Sequence, residues 1–267
     1  MPASAHFVLS FTKAMTDQLS DLLAELEPAP LTPASLDQLE RLPGVYELLQ
    51  EGSDGVRRVM YVGKADRSLP DRLADHFRKI SARHNIDIRD MYFVCAYVER
   101  DLHAVAPEAM LIDHRRRAGD APWNGRVGFG PHDPGRERDT QDPPPWDLEH
   151  PIRIDDVLGF PRGEYDLTEY LYALKDALPF LFRFERVDNR RGSGHPDYEG
   201  LTVRIPADLT ARELLVFPSV VLPVGWRVTI LPGYAIMYKN RPRSPVTYAE
   251  YESGPGPGRR AGFLDRR

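Results

Sequence analysis

The sequence lacks the features that mark secreted and membrane-spanning proteins. It contains one cysteine, Cys95, and a lone cysteine can form neither an internal disulfide nor a cysteine metal cluster. Within the apolar run MYFVCAYVER we expect Cys95 to be a core residue. No apolar run approaches the roughly 20 residues that span a bilayer. The first residues, MPASAHFVLSFTKAM, have no basic flank before an apolar core, so we expect no signal peptide. These absences favour a cytoplasmic protein with no membrane partner.

Acidic residues outnumber basic ones over the whole chain, but basic residues are in excess in one stretch. The 267 residues carry a formal net charge of −5, which argues against a generally basic nucleic-acid binder. Residues 56–117 contain 13 Lys and Arg against 9 Asp and Glu, a net +4, whereas residues 1–55 contain 2 against 9, a net −7. A basic patch on an acidic protein is compatible with a phosphate-facing surface, although a solvated charged face is the ordinary alternative.

The hydrophobic pattern predicts an α+β fold. After a helix over 15–27 and a short helix from about residue 35, the segments 45–49 and 59–62 read as a β-hairpin with the turn QEGSDG. A helix after Pro70, a buried strand in IRDMYFVCAYVER and a helix from about Pro107 to Gly119 complete the order β-β-α-β-α. This order predicts a small three-stranded antiparallel sheet flanked by helices.

The chain outside this region is predicted to be separate. Residues 1–41 are expected to form a helical arm and 42–153 the central domain, which includes an irregular Gly/Pro/Asp/Arg-rich loop over 125–153. A stretch of this length without periodicity is usually functional or a linker. Residues 154–250, with an amphipathic helix in YDLTEYLYALKDALPFLF and four strand candidates, predict an additional C-terminal α+β domain, and 251–267 a mobile tail.

Six polar residues of the central domain suit phosphodiester hydrolysis: Tyr46 and Tyr61 on the hairpin, Arg72 and His76 on the next helix, Glu108 in the first turn of the later helix, and Asn124 beyond it. One carboxylate can hold a hard divalent cation that keeps most of its waters. An arginine can stabilise charge on the phosphorane, and a tyrosine helped by Lys64 or His76 can take a proton from water. Each residue also has an ordinary structural explanation in packing, surface exposure or the helix dipole.

Read together, these residues resemble the motifs of the GIY-YIG nuclease superfamily. Gly44-Val45-Tyr46 stands for the first triplet and Tyr61-Val62-Gly63 for the second, with valine in place of isoleucine in both. The arginine, histidine, glutamate and asparagine that follow match the family's order over residues 42–125. YVGKA and the run from GFGPHDPG to LEHPIR are similar to its type II restriction-endonuclease branch.

The resemblance implies a Mg²⁺- or Mn²⁺-dependent endonuclease acting on double-stranded DNA, with a defensive role in restriction-modification. Tyr46 would be the base, activated by Lys64 or His76, because a tyrosine near its ordinary pKa of about 10 is a poor base at neutral pH. Tyr61 would position water or phosphate and Arg72 would bind phosphoryl oxygens. Glu108 would hold the metal and Asn124 would orient the site.

Sequence recognition is expected to come from arginines, the commonest partners of guanine. The candidates for base contacts are Arg126, Arg136 and Arg138 in the irregular loop. Arg115, Arg116 and Arg117 either position phosphates or are simply solvated. A palindromic DNA site has twofold symmetry, so we expect a homodimer with the same symmetry to bind it. The dimer interface would lie on the N-terminal helix or in the C-terminal region.

Two other functions remain open from the sequence. The chain could be a structure-specific DNA repair or recombination nuclease of the same superfamily, or a DNA-binding module that has lost catalysis. The C-terminal aromatics Tyr198, Trp226, Tyr234 and Tyr238 indicate a small core, or else a second module that reads DNA or modified bases. His195, in the loop RGSGHPDYEG, is not expected to be a ligand.

Overall fold

The computed structural model describes residues 11–98, 107–125, 129, 142–188, 190, 192–240, 249–253 and 259–260. Within these ranges the chain is α+β, with seven α-helices and eleven β-strands. The helices are α1 (Phe11–Glu25), α2 (Pro33–Leu36), α3 (Leu69–Ser81), α4 (Pro107–Arg117), α5 (Pro145–Glu149), α6 (Leu167–Ala177) and α7 (Ala211–Val221). The strands are β1 (Ala29–Pro30), β2 (Gly44–Glu51), β3 (Arg57–Ala65), β4 (Met91–Tyr97), β5 (Gly163–Asp166), β6 (Leu181–Phe184), β7 (Thr202–Ile205), β8 (Trp226–Ile230), β9 (Tyr234–Lys239), β10 (Ala249–Glu252) and β11 (Arg259–Arg260).

The chain divides into two compact units that both draw on separated segments. The first unit is Met1–Ile80 with Asp87–Phe129, and the second is Ser81–Ile86 with Gly130–Arg267. These units do not follow the predicted boundaries at 41, 153 and 250. A short segment from the middle of the predicted central domain, residues 81–86, and the described residues 142–153 belong to the unit of the C-terminal region instead. None of the described helices is long and apolar enough to cross a membrane.

The first unit is built on a four-stranded antiparallel sheet with the order β1-β4-β2-β3. Its three long strands are the predicted ones. The two-residue strand β1, which pairs Ala29 with Phe93 and Pro30 with Tyr92, makes the prediction of three strands incomplete. A segment this short that contains a proline has no strand signature in sequence. The residues predicted to be a helical arm therefore contribute a strand to the sheet.

Each face of this sheet is covered by helices whose apolar residues match the strand alternation. Val45, Val62 and Val94 point to one face, where they pack with Leu23 of α1 and Leu111 of α4. On the other face, α3 carries a buried stripe at intervals of three and four residues that faces the sheet. The stripe consists of Leu69, Leu73, His76 and Ile80. A histidine thus occupies a core position of α3.

The second unit contains a five-stranded sheet with the order β11-β10-β8-β9-β6 and a separate pair of strands, β5 and β7. The β6–β9 pair is parallel and the other pairs are antiparallel. Tyr198 and Trp226 lie in the main core with residues from α6 and α7, while Tyr234 and Tyr238 belong to a smaller buried cluster. His195 accepts a hydrogen bond at Nδ1 from the backbone N–H of Asp197, at 3.1 Å.

Several elements of the second unit differ from the sequence-based expectation. Helix α7 was not predicted, although it begins with a capping box in which Thr210 and Glu213 bond reciprocally, a recognisable start signal. Helix α5 interrupts the loop that was expected to be irregular over 125–153. The predicted mobile tail over 251–267 contains the end of β10 and all of β11, whereas residues 254–258 and 261–267 of that tail lie outside the described residues.

A buried arginine holds the segments of the second unit together. Arg83, 3% exposed, donates from Nη1 to Asp147 Oδ1 at 2.9 Å and to the His150 carbonyl at 3.0 Å. It also donates from Nη2 to the carbonyl of Gly233 at 3.2 Å. A Cβ at position 233 would collide with the Asp147 carboxylate, so this close approach requires glycine. The insertion 81–86 is therefore a structural part of this unit, joined to the C-terminal region by charge-assisted hydrogen bonds.

Candidate active site

The strand register brings the two motif tyrosines onto one face of the sheet. Tyr46 of β2 lies opposite Gly63 of β3, two residues after Tyr61, and the ring centroids of the tyrosines are 6.2 Å apart. The Tyr46 ring lies across the glycine, since a Cβ at position 63 would overlap the Tyr46 hydroxyl. Glycine in the second triplet is thus required by the tyrosine of the first.

Helix α3 brings a histidine and an arginine to the hydroxyl of Tyr46. Nε2 of His76 lies 2.6 Å from Tyr46 Oη, and Nε of Arg72 donates to the same oxygen at 3.2 Å. The two helical residues are four apart and share a face. We assign the Nδ1–H tautomer to His76, because the Tyr46 proton then has an acceptor inside the protein. In this arrangement the phenol donates to imidazole and accepts from guanidinium.

Burial and neighbouring charge set the protonation of these groups. Tyr46 is 0% and His76 3% exposed. Burial, followed by the positive charges of Arg72 and Lys79, lowers the pKa of His76 well below its ordinary value of 6.5. Burial also acts to lower the pKa of Arg72, but its interactions with Tyr46 and Tyr61 outweigh this and raise it. The site therefore combines a neutral imidazole with a permanently charged guanidinium.

An aromatic residue that the sequence analysis did not single out covers this cluster. Phe129 is fully buried. Its ring stacks on His76, with centroids 5.2 Å apart and planes at 14°, and meets Tyr61 edge-on at 4.8 Å. Nζ of Lys79 donates to its carbonyl at 2.7 Å. The signal in the sequence was an isolated aromatic between two glycines, at the end of the run WNGRVGFG that begins with a tryptophan and the matched asparagine.

Asn124 supports the second triplet through two hydrogen bonds to the backbone of Val62. Its Oδ1 accepts from the backbone N–H of Val62 and its Nδ2 donates to the Val62 carbonyl, both at 2.7 Å. β3 is an edge strand, so the amide occupies backbone groups that a further strand would otherwise bond. The side chain thereby fixes the strand that carries Tyr61 and Gly63.

Lys64 does not join the cluster. The register sets it opposite Val45, and alternation along a strand turns it to the face opposite Tyr46. Its Nζ pairs with Asp66 at 3.1 Å, with about half of the lysine side chain exposed. The prediction of Lys64 as an activator of Tyr46 is therefore not supported by its position, whereas His76 lies at hydrogen-bond distance from the Tyr46 hydroxyl.

Glu108 lies in the first turn of α4, as predicted; the structure describes its backbone but not its side chain. Leu111 of the same helix packs with Val45 and Val62, on the sheet face opposite the one that carries Tyr46. The Glu108 carboxylate itself is not among the described side chains.

Arg115 is anchored in the protein rather than presented to DNA. Its Nε and Nη2 donate to the two carboxylate oxygens of Glu47 at 2.7 and 3.0 Å, and Glu47 is 1% exposed. Burial raises the pKa of Glu47, and Arg115 opposes that shift. The residue that follows Tyr46 on β2 is a buried carboxylate, and Arg115 supplies the positive charge that compensates it. No local sequence pattern indicates this pairing.

The other arginines predicted to bind DNA divide into two groups. Arg116 and Arg117 are exposed at the end of α4, and Arg116 lies 3.7 Å from Asp113. Arg126, Arg136 and Arg138 lie outside the described residues. Cys95 sits opposite Tyr46 on β4 and is only partly buried, so it is less enclosed than expected; burial raises its pKa to about 11.

Residues 47–156 match a family model described as the Eco29kI GIY-YIG domain. This part of the chain is therefore similar to a GIY-YIG domain of the restriction-endonuclease type, which supports a nuclease that acts on DNA, and the predicted resemblance is confirmed. The match contains the second triplet, Arg72, His76, Glu108 and Asn124, and begins one residue after Tyr46. It also extends through the loop region and helix α5. A comparison with curated proteins found no match to the chain.

Proposed function

We propose that this chain is a type II restriction enzyme: a site-specific, metal-dependent endonuclease that hydrolyses phosphodiester bonds in double-stranded DNA. The observation that carries the proposal is the hydrogen-bonded group of Tyr46, His76 and Arg72 within a GIY-YIG restriction domain. A buried phenol held between a neutral imidazole and a guanidinium has no role in packing that a phenylalanine and a leucine could not fill.

The geometry supports a relay in which Tyr46 is the base and His76 receives the proton. As a water oxygen attacks phosphorus, its proton passes to Tyr46 Oη while the phenol proton passes to His76 Nε2. Arg72 Nε–H stabilises any negative charge on Oη throughout. The low pKa of His76 keeps the imidazole available as an acceptor at neutral pH. Tyr61, in contact with both rings, would position the water or the phosphate.

Glu108 is the residue that would hold a divalent cation, Mg²⁺ or Mn²⁺. The described residues include no group of three or more His, Cys, Asp or Glu side chains that could form a protein cage for a metal. A magnesium ion held by one or two carboxylates, waters and substrate phosphate does not need such a cage, so a single carboxylate is compatible with this kind of site. When bound, the cation would supply positive charge for the phosphoryl oxygens.

Contacts to DNA beyond the reacting phosphate are proposed for the arginines predicted from the sequence, other than Arg115. Arg116 and Arg117 are candidates for phosphate contacts, while Arg126, Arg136 and Arg138 are candidates for base readout. A homodimer is proposed because a palindromic site imposes twofold symmetry on its reader. A defensive role follows if the enzyme cuts foreign duplex DNA at one short sequence.

The test is to incubate the purified chain with linear duplex DNA and Mg²⁺ and to sequence the ends produced. We expect discrete cuts at one short motif and loss of turnover in Tyr46→Phe. The control is Tyr165→Phe, which should keep full turnover. Tyr165 belongs to the second unit, and its one described hydrogen bond goes to a backbone carbonyl. Preferred cleavage of branched DNA would indicate the repair-nuclease alternative. Tight binding with no cleavage under any divalent metal would overturn the proposal in favour of a DNA-binding module.

The metal assignment has its own test. Glu108→Gln should weaken Mn²⁺ binding to the protein–DNA complex, measured by calorimetry, while leaving DNA affinity in the absence of metal unchanged. Unaltered Mn²⁺ affinity in that variant would remove Glu108 from the metal site.

A further inference from the structure

Three side chains of α3 form a continuous line beneath Phe129. Arg72, His76 and Lys79 follow one another at intervals of four and three residues and so lie along one side of the helix. Arg72 reaches Tyr46 at one end of this line. At the other end, Lys79 Nζ bonds the Phe129 carbonyl at 2.7 Å and lies 5.2 Å from the centre of its ring. Phe129 is thus attached to the helix that carries the proposed catalytic groups.

The ring of Phe129 closes the remaining side of His76. The imidazole is flanked by Tyr46 at 5.5 Å and Tyr61 at 5.4 Å between centroids. Phe129 is nearly parallel to it at 5.2 Å, and Trp123 backs Phe129 at 4.6 Å. An apolar ring stacked on imidazole excludes water from that face and fixes the plane in which Nε2 points.

We propose that Phe129 is a positioning residue of the hydrolytic site, whose ring, held by Lys79, keeps the His76 imidazole directed at Tyr46 and shielded from water. This inference rests on the proposed function. Phe129 itself touches neither substrate nor the reacting atoms; it acts through His76. A phenol can pass its proton to His76 only while the imidazole is uncharged. Exclusion of water from this face disfavours the charged imidazolium and so keeps His76 able to accept that proton.

The charged and titratable groups that face His76 come from every element around it: Arg72 and Lys79 from α3, Tyr46 from β2 and Tyr61 from β3. Burial disfavours the imidazolium most, and the two cations add to that effect. Opening the Phe129 face would remove part of the burial and leave both cations in place. The His76 pKa is therefore expected to rise toward 6.5 without reaching it.

The experiment compares Phe129→Leu with the wild type by NMR titration of the His76 ring, assigned with a His76→Gln spectrum, in the protein without DNA. We expect the midpoint of His76 to move to higher pH in Phe129→Leu. For DNA cleavage we expect kcat to fall by roughly tenfold or more with KM little changed, and the acidic limb of the kcat profile to move to higher pH. Lys79→Met keeps the aliphatic stem but loses the bond to the Phe129 carbonyl. It should shift the His76 midpoint and the acidic limb of the kcat profile in the same direction as Phe129→Leu, but by less.

Phe182→Leu is the matched control. Phe182 is fully buried in the second unit, so the same change creates a comparable cavity far in sequence from the site, and it should lower stability without altering the His76 midpoint or the pH profile. An unchanged His76 midpoint in Phe129→Leu, or equal kcat losses in the two variants, would overturn the inference. Absence of DNA cleavage by the wild type would contradict the proposed function alone, because the NMR titration does not depend on activity.

Discussion

Arg115 offers a sharp test of how the first unit is held together. The perturbation is Arg115→Met, which preserves the length of the side chain and removes the two charge-assisted bonds to Glu47. Glu47 is 1% exposed, so the variant leaves a buried carboxylate without its cation. Removing one partner of a buried ion pair costs about 3–5 kcal/mol.

Protonation of Glu47 sets a ceiling on that cost. The ordinary pKa of the group is 4.5, so neutralising it at pH 7 takes about 2.5 pH units at about 1.36 kcal/mol each, or about 3.4 kcal/mol. The variant is therefore expected to lose about 3 kcal/mol at pH 7. The folded variant binds more protons than its unfolded chain above pH 4.5, so the loss should shrink by up to about 1.4 kcal/mol for each unit that the pH is lowered.

The assay is urea unfolding of wild type and variant at pH 7.0 and 5.5. Unfolding is followed by the fluorescence of Trp123, which lies in the first unit. The other two tryptophans, Trp146 and Trp226, are replaced by phenylalanine in both proteins. Adding Glu47→Gln to Arg115→Met should recover much of the loss, because no buried charge remains. Arg116→Met is the control: its side chain is exposed, and surface pairs contribute about 0–1 kcal/mol. A loss below about 1 kcal/mol, or one that does not change with pH, would refute the reasoning about the buried pair.

Three further changes test the site. Gly63→Ala should abolish DNA cleavage, because the new Cβ would displace the Tyr46 hydroxyl. The control in the same cleavage assay is Gly159→Ala, where nothing lies within 4 Å of the added Cβ. Wild-type turnover in Gly63→Ala would contradict the close packing of Tyr46 on Gly63. Asn124→Leu should cost about 1–3 kcal/mol from two unsatisfied backbone groups, measured by thermal unfolding, and a neutral effect would mean that water replaces the amide. Because the pKa of His76 is lower in the folded than in the unfolded chain, the free energy of unfolding should fall as the pH drops below 6.5. Urea unfolding between pH 7 and 5 should show a shallower fall in His76→Gln than in the wild type. The same pH dependence in both proteins would contradict this.

The parts of the fold that could be predicted from sequence are those encoded by local pattern. The hairpin, helix α3 and strand β4 follow from apolar periodicity and turn residues. The gathering of Tyr46, Tyr61, Arg72 and His76 followed from matching motif order. Their common face, in contrast, depends on strand register, which the sequence does not specify.

The features that could not be predicted depend on contacts between distant residues. Lys64 looked equivalent to His76 as a neighbour of Tyr46, and only the strand alternation separates them. The pairing of Arg115 with Glu47 spans 68 residues and leaves no local mark. The enclosure of His76 by Phe129 and the insertion of residues 81–86 into the second unit are of the same kind.

The bonds of Arg83 have a consequence for how this protein can be shortened or recombined. A fragment that stopped at residue 156, where the family match ends, would retain the guanidinium and its carboxylate partner but lose the carbonyl of Gly233. A cation deprived of its acceptors is poorly tolerated in an interior, so trimming the chain to its recognisable nuclease segment should yield an insoluble product. Grafting that segment onto another targeting module would have to carry the later hairpin with it.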